Sequence, residues 1–158
     1  PQTRLLVVGR GLYERDDERF NALVAAAGLG ERVVRAGWVA QEALPDYFAA
    51  ATVAFHPFDD TLVNRAKCSV KLADLLGAGV AVVADAVGQN IEYITHQETG
   101  LLVQAGDTTA MAASVVHLLH NEPLRRKLGA AAADAMRTHY AWSILAQYAL
   151  AAYESSKV

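Results

Sequence analysis

The segment that leads into a predicted helix at residues 69–78 carries groups suited to binding an anion. Arg65 and Lys67 stand shortly before this helix, and Lys71 lies in its first turn. The N–H groups of a first helical turn have no partner within the helix, and the helix dipole favours negative charge there. The phosphate site predicted from this pattern comprises Arg65, Lys67, Ser69, Val70 and Lys71, and Asn64 in the same polar loop is a further candidate for binding a sugar donor.

An acidic residue on the same helix extends this prediction. Asp74 follows Ser69 by about one and a half helical turns, where its carboxylate can reach past a phosphate to hydroxyl groups such as those of a ribose. The alternative is that Lys67, Lys71 and Asp74 form a solvated helix face, whose charge pairs contribute only about 0.2–0.5 kcal/mol each. The spacing leaves both interpretations open.

Two glycine turns stand at the ends of other predicted strands. Gly9 and Gly11 let the backbone approach a ligand, but a glutamate occupies the position of the third glycine in a dinucleotide fingerprint. A turn that merely joins strand to helix is the alternative. Gly88, Gln89 and Asn90 follow a later strand, where such polar side chains either bind sugar hydroxyls or cap a helix.

The usual motifs of self-contained catalysis are missing from the sequence. It has no Ser-His-Asp arrangement, no paired cysteines and no Gly-rich phosphate loop ending in Gly-Lys. His117 and His120 stand three residues apart on a predicted helix, but no further ligand spacing accompanies them. We therefore predict no catalytic residue, metal or cofactor within this chain.

Composition argues against nucleic acid as a partner. The 158 residues include 14 Lys+Arg and 17 Asp+Glu, a net charge of −3, which supplies no basic field for phosphate backbones. Hydrophobic residues make up 53%, enough for a globular core, and the single Cys68 cannot form an internal disulfide. No signal-like start or long apolar run occurs, so we expect a cytoplasmic location. If the chain is part of a longer protein, that protein can also attach peripherally to the inner face of a membrane.

Apolar runs bounded by glycines predict strands that alternate with helices. The predicted strands are residues 4–9, 32–36, 52–55, 80–84 and 100–103, and the predicted helices are 14–27, 41–51, 69–78, 107–117, 122–136 and 142–153, with a polar loop at 58–67. This order predicts an α/β fold: a Rossmann-like, doubly wound parallel sheet with helices on both faces and further helices at the C-terminus. The continuous apolar run 80–84 favours a central strand, and the loops at the carboxyl ends of the strands should line one crevice.

Residues 71–84, KLADLLGAGVAVVA, resemble the K-L-x-E-x-x-A-x-G-x-P-V-V-A stretch of retaining GT-B glycosyltransferases, family four. Further segments that resemble this family follow in the family's order, at residues 6–11, 33–39, 44–51, 88–94 and 99–103. The resemblance implies that residues 1–158 form a single Rossmann-like nucleotide-sugar donor-binding domain. It would be most of the C-terminal half of such an enzyme, without its first strand-helix unit.

In that family the donor diphosphate meets the N-terminus of the K-L-x-E helix, and the acid of the motif holds the ribose. The resemblance thus implies that residues 69–71 face the diphosphate and that Asp74 faces the ribose. The chain departs from the pattern where Ala66 replaces an earlier glutamate, Ala81 replaces a proline, and Asp74 is shorter than the usual glutamate. The departure at Ala66 keeps a second function open, a non-catalytic nucleotide-sugar or nucleotide-binding module of the same fold.

The resemblance also implies which loop lies near the nucleotide base. In the family, the loop after the second strand of this half usually contacts the base, which points here to Gly37, Trp38 and Val39. Trp38 either stacks on the base or packs beside Leu44, and the sequence does not decide between the two.

The activity implied is transfer of a sugar to an acceptor with retention of anomeric configuration, without an obligatory metal. The implied partners are the nucleotide sugar donor and an N-terminal acceptor-binding half. Because catalysis requires the acceptor to be held against the anomeric carbon, we expect the chain alone to be inactive. Without that half, the chain should expose apolar surface, and such patches drive association. We therefore predict that Tyr140, Trp142 and the last helix either pack back on the domain or mediate a homodimer.

Overall fold

The computed structural model describes residues 3–155 and divides the chain into two compact units. The N-terminal unit comprises Pro1–Ala51, and the C-terminal unit comprises Thr52–Val158. Each unit contains its own parallel sheet with helices beside it, which confirms the predicted α/β class. That residues 1–158 act as a single donor-binding domain, with all loops on one crevice, stays a prediction.

The N-terminal unit has a two-stranded sheet. β1 (Leu5–Val8) pairs in parallel with β2 (Val33–Gly37), and α1 (Glu14–Ala26) connects the two strands. A 3-10 turn at Gln41–Ala43 leads into α2 (Leu44–Ala50), where the sequence predicted one continuous helix. Parallel strands need such a helical crossover, so the connection follows from the pairing.

The C-terminal unit has a three-stranded sheet whose middle strand is enclosed. β3 (Ala54–His56), β4 (Val82–Asp85) and β5 (Leu101–Val103) are parallel and lie in the order β3-β4-β5. All four residues of β4 are buried, which confirms the central strand predicted from its apolar run. The strand begins two residues later than predicted and continues to Asp85, so a carboxylate stands at its carboxyl end.

The described part of the C-terminal unit, residues 52–155, contains six helices. They are α3 (Leu62–Ala66), α4 (Val70–Gly77), α5 (Asn90–Tyr93), α6 (Thr108–His120), α7 (Glu122–His139) and α8 (Trp142–Ser155). The helix predicted from residue 107 is confirmed, and Asp107 caps it: its carboxylate accepts a hydrogen bond from the N–H of Ala110 at 2.8 Å. No helix within residues 3–155 is long and apolar enough to cross a membrane.

The prediction of a loop throughout residues 58–67 is wrong, because α3 forms within it. Thr61 precedes this helix, and its hydroxyl oxygen accepts a hydrogen bond from the N–H of Asn64 at 3.2 Å. A threonine cap satisfies one of the donors that a short helix otherwise leaves unpaired. The cap thus allows a single turn to form among polar residues.

The hydrophobic core of the C-terminal unit holds α4 firmly against the sheet. α4 contributes Leu72 and Leu76 to a buried cluster around Val82. α6 contributes Leu118 to a second cluster around Val83. Neighbouring residues of a strand point to opposite faces, so helices cover both faces of β4. The N-terminus of α4 is therefore held by the core.

Candidate functional site

The N-terminus of α4 offers unpaired backbone donors. Ser69 precedes the helix, is only 6% exposed, and its Oγ accepts a hydrogen bond from the N–H of Leu72 at 3.3 Å. No acceptor within residues 3–155 pairs with the N–H groups of Val70 and Lys71. Together with the helix dipole, two free amides form a local site for an oxyanion.

His56, to which the sequence analysis gave no role, forms a hydrogen bond with this capping serine. His56 ends β3, and its Nε2 lies 3.0 Å from Ser69 Oγ. Burial lowers the pKa of His56, as do the nearby charges of Lys71 and Lys67, while Asp85 opposes them. The imidazole is therefore neutral at pH 7. Its position directly after a predicted strand was the signal available in the sequence.

Of the three predicted cations, two remain available near the helix N-terminus. Arg65 forms an exposed bidentate pair with Asp60, with 2.8 Å between Nη2 and Oδ2, and this pair lowers the pKa of the Asp60 carboxyl. Lys67 lies over the ring of Phe58, with Nζ 5.7 Å from the ring centroid. Lys71 is exposed in the first turn of α4. Lys67 and Lys71 can thus face an anion without first breaking an ion pair.

The loop after β4 packs directly against α3. A Cβ on Gly88 would lie 2.7 Å from the carbonyl oxygen of Arg65 and 2.8 Å from that of Asn64. Gly88 also has φ +51°, a left-handed conformation that glycine adopts without strain. The close approach brings the predicted residues Asn64, Arg65, Gly88 and Gln89 together. Gln89 Oε1 is buried there and has no hydrogen-bond partner among the described residues.

Asn90 has a structural partner. Its side chain is 1% exposed, and its Nδ2 donates to the carbonyl oxygen of Asp85 at 2.9 Å. Asp85 in turn accepts a hydrogen bond from the N–H of Phe58 at its Oδ2, at 2.8 Å. These two bonds join the loops that follow β3 and β4. The contact of Asn90 with a donor sugar stays a prediction.

Asp74 lies on the exposed side of α4, one turn beyond Lys71. Within residues 3–155 it forms no ion pair, which is compatible both with a ligand-binding role and with the alternative of a solvated helix face. Its carboxylate is therefore open to a ligand. Contact with a ribose stays a prediction.

The N-terminal unit has its own open cleft. Its volume is about 650 Å³, and it is lined by Arg10, Gly11, Glu14, Asp17, Glu18, Asn21, Arg35, Ala36, Gly37 and Trp38. The glycine turns meet where the N–H of Gly9, at φ +112°, donates to the carbonyl oxygen of Gly37 at 2.7 Å. Trp38 is 77% exposed, which argues against packing beside Leu44. The half-buried Val39 follows it.

An ion pair orders one wall of this cleft. Asp17 pairs with Arg35, and its Oδ1 also accepts a hydrogen bond from the N–H of Gly11 at 3.2 Å. Both contacts hold the pKa of Asp17 below its usual range. Gly11 is thus held by the first turns of α1, as a turn joining strand to helix would require.

Of the two residues predicted either to pack back on the domain or to mediate a homodimer, Tyr140 packs and Trp142 is exposed. Tyr140 packs back: its Oη donates to the carbonyl oxygen of Glu92 at 2.7 Å, and its ring meets Tyr93 edge-on at 4.9 Å. Trp142 is 85% exposed, and Tyr148 and Tyr153 of α8 are also largely exposed. The homodimer stays a prediction. Within residues 3–155, no group of three His, Cys, Asp or Glu side chains is placed to hold a metal ion.

Comparison with known proteins gives consistent results. A family model described as glycosyl transferases group 1 matches residues 1–121. The chain is 32% identical over 152 residues to a phosphatidyl-myo-inositol mannosyltransferase of Mycobacterium leprae, which covers 96% of this chain and 38% of that protein. The chain thus spans about two fifths of the length of this relative.

Solved structures share the fold. A sucrose-phosphate synthase from Thermosynechococcus elongatus aligns with a TM-score of 0.78 and 27% identity, over 96% of this chain and 38% of that one. The Anabaena protein HepE, solved in complex with UDP-glucose, aligns with a TM-score of 0.85 and 18% identity, over 98% of this chain and 42% of that one. At that identity the second likeness concerns the fold alone.

Proposed function

Because the chain belongs to the glycosyl transferases group 1 family, we propose that it binds the nucleoside diphosphate of a sugar donor at the N-terminus of α4. In the whole protein, the donor sugar is transferred to an acceptor with retention of anomeric configuration. The acceptor is held by an N-terminal half, since the chain spans only about two fifths of its relative. The chain by itself is inactive for that reason.

The observation that carries this proposal is the arrangement at residues 69–71. The free N–H groups of Val70 and Lys71 and the charges of Lys67 and Lys71 face one helix end, which the buried Ser69 cap keeps in place. Preorganised donors of this kind stabilise the charge that develops on a departing diphosphate. Amides and lysines supply the positive field, so the proposed reaction needs no metal.

The remaining parts of the donor have candidate partners in the same unit. Asp74, exposed one turn further along α4, accepts hydrogen bonds from the ribose hydroxyls. The unpaired Oε1 of Gln89 is an acceptor for a sugar hydroxyl. That the N-terminal unit's Trp38 and Val39 contact the base, as the family resemblance implies, stays a prediction. A cytoplasmic location at the inner face of a membrane fits the relative named for phosphatidyl-myo-inositol.

A second function is favoured by one observation. Ala66 ends α3, beside the loop of Gly88, where a carboxylate would be needed to bind the donor sugar as the family resemblance implies. An alanine supplies no hydrogen bond to a hydroxyl. The alternative is therefore a non-catalytic nucleotide-sugar or nucleotide-binding module. Transfer or donor hydrolysis by the whole protein distinguishes this module from an enzyme.

Calorimetric titration tests the proposed site directly. UDP, GDP, ADP, UDP-glucose and GDP-mannose are titrated into the chain and into the Asp74→Asn variant. We expect one nucleoside diphosphate to bind and the variant to weaken it about tenfold, the value of one hydrogen bond to a charged group. Asp134→Asn, an exposed acid of α7, is the matched control and should bind like the wild type. Absence of binding at millimolar concentration, in the chain and in the whole protein, contradicts the proposal.

A further inference from the structure

His56 connects three segments that surround the proposed diphosphate site. It ends β3, and its Nε2 lies 3.0 Å from the Oγ of Ser69, the residue that caps α4. Its ring lies 4.9 Å from that of Phe58, centroid to centroid, with 32° between the planes. Phe58 is itself tied to β4 through its N–H bond to Asp85. The imidazole is therefore held in one orientation towards the helix cap.

The hydrogen bonds at Ser69 indicate the protonation state of His56. Ser69 Oγ already accepts the N–H of Leu72, so its own hydrogen is free to be donated. A neutral imidazole with an unprotonated Nε2 accepts that hydrogen, and all three groups are then paired. A protonated imidazole must instead donate to Ser69 Oγ, which releases the hydroxyl hydrogen towards the open end of the helix.

The charges around His56 come from each element packed near it. Lys71 on α4 and Lys67 before α4 disfavour the imidazolium, while Asp85 at the end of β4 favours it. α6 also packs against β3, and its only ionisable side chains are the two histidines of its last turn. The two lysines that oppose protonation are the same two that face the proposed diphosphate. An anion bound between them cancels their effect on His56.

We propose that His56 is a positioning residue of the diphosphate site that takes up a proton when a sugar nucleotide binds, so that donor affinity depends on pH. This inference rests on the proposed function, because it needs the diphosphate at the N-terminus of α4. On binding, the imidazolium adds a positive charge behind Ser69, and the Ser69 hydroxyl turns its hydrogen to the anion. His56 does not contact the reacting atoms; it acts through Ser69.

The direction of the pH dependence follows from linkage. In the free chain, burial and the two lysines hold the pKa of His56 below its usual value, and the bound diphosphate raises it. Binding is therefore accompanied by proton uptake between the two pKa values, and affinity rises as the pH falls through that interval. A rise of about one unit in the pKa corresponds to a roughly tenfold gain in affinity.

The test uses wild-type chain and the two intact sugar nucleotides UDP-glucose and GDP-mannose. A pyrophosphate diester keeps its charge from pH 5 to pH 8, so the ligand itself contributes no titration. Calorimetry at pH 6 in two buffers of different ionisation enthalpy counts the protons taken up. We expect uptake of a fraction of one proton and an affinity about three- to tenfold higher at pH 5.5 than at pH 8.

Two variants separate this role from simple support of the fold. His56→Gln keeps a hydrogen-bonding group near Ser69 but cannot titrate, so it should retain the affinity of pH 8 and lose both proton uptake and pH dependence. His117→Gln removes an exposed histidine from α6 and should behave like the wild type. If His56→Gln does not fold, the chemical shift of His56 in the wild type, titrated with and without inorganic pyrophosphate, replaces it.

The possible results distinguish failure of the role proposed for His56 from failure of the proposed function. Binding without proton uptake, or proton uptake that persists in His56→Gln, overturns the role of His56 and leaves the proposed function standing. Absence of binding at every pH for all the nucleotides and sugar nucleotides titrated, in the chain and in the whole protein, overturns both. An unchanged pKa of His56 in the presence of saturating pyrophosphate also overturns the role of His56.

Discussion

β1 in the N-terminal unit and β4 in the C-terminal unit are both four-residue strands made mostly of apolar residues, but they differ in how far their side chains are buried. Every side chain of β4 is buried, whereas Leu6 and Val8 of β1 are each 37% exposed. No residue in the described part of the N-terminal unit is buried. The residues that surround the proposed phosphate site are thus backed by a hydrophobic core, and those of the open cleft around Trp38 are not.

This difference in burial indicates what holds the residues of each site in place. The cap at Ser69 lies three residues before Leu72, which is fully buried, so the free N–H groups are fixed by packing. The cleft wall at Arg35 depends instead on a partly exposed ion pair with Asp17. Exposed ion pairs contribute little to stability, while buried apolar groups contribute much. The two units should therefore respond very differently to matched substitutions.

The largest effect is expected from truncation in the core. Leu76→Ala truncates a fully buried side chain of α4 and should lower the free energy of unfolding by about 2–5 kcal/mol. The matched change in the N-terminal unit, Leu23→Ala, removes a side chain that is 61% exposed and should cost less than about 0.5 kcal/mol. Chemical denaturation measures both. Equal losses in the two variants would remove the basis of the comparison.

A glycine contact gives the next largest effect. A Cβ on Gly129 of α7 would lie 2.0 Å from the carbonyl oxygen of Gly79, in the turn after α4. Backbone cannot yield as a flexible side chain does, so Gly129→Ala should destabilise the C-terminal unit by about 1–3 kcal/mol. Gly30→Ala in the N-terminal unit meets nothing within 4 Å and is the control. Hydrogen exchange, resolved by segment, should show increased exchange in α4 and α7 for the first variant only.

The smallest effect is expected from acid. The pKa of Asp17 is lowered by Arg35 first and then by the N–H of Gly11, so the ionised carboxylate stabilises the N-terminal unit above about pH 4. This contribution is lost as the pH falls through the lowered pKa. Asp17→Asn should therefore reduce thermal stability slightly at pH 7, and the difference should shrink as the pH falls through the lowered pKa of Asp17. Glu31→Gln, an exposed acid of the same unit, serves as control. A constant difference across the pH range would contradict this explanation.

Most of the secondary structure could be predicted from local patterns. The apolar run at β4 indicated a buried strand, and Asp107 indicated the start of α6, because burial on both faces and helix capping each act within a few residues. The start of α4 near Ser69 was predicted in the same way. The short helix α3 was missed, since a single capped turn at Thr61 has too few apolar residues to show a period.

The candidate site was predicted in composition but not in its contacts. Sequence reasoning selected Ser69, Lys71 and Asp74 because a helix N-terminus with nearby cations suits a phosphate. It also selected Arg65, which pairs with Asp60 in the structure. It gave no role to His56, whose significance depends on a bond to a residue 13 positions away.

The amino-acid sequence by itself determined the alternation of strands and helices, the buried central strand and the helix that begins after Ser69. These features depend on side-chain periods and caps that span only a few residues. Tertiary structure alone decided that His56 supports the cap of α4, that Gly88 packs against α3 and that Asp85 binds the N–H of Phe58. Those contacts join segments far apart in the chain, which the packing of helices and strands around β4 brings together.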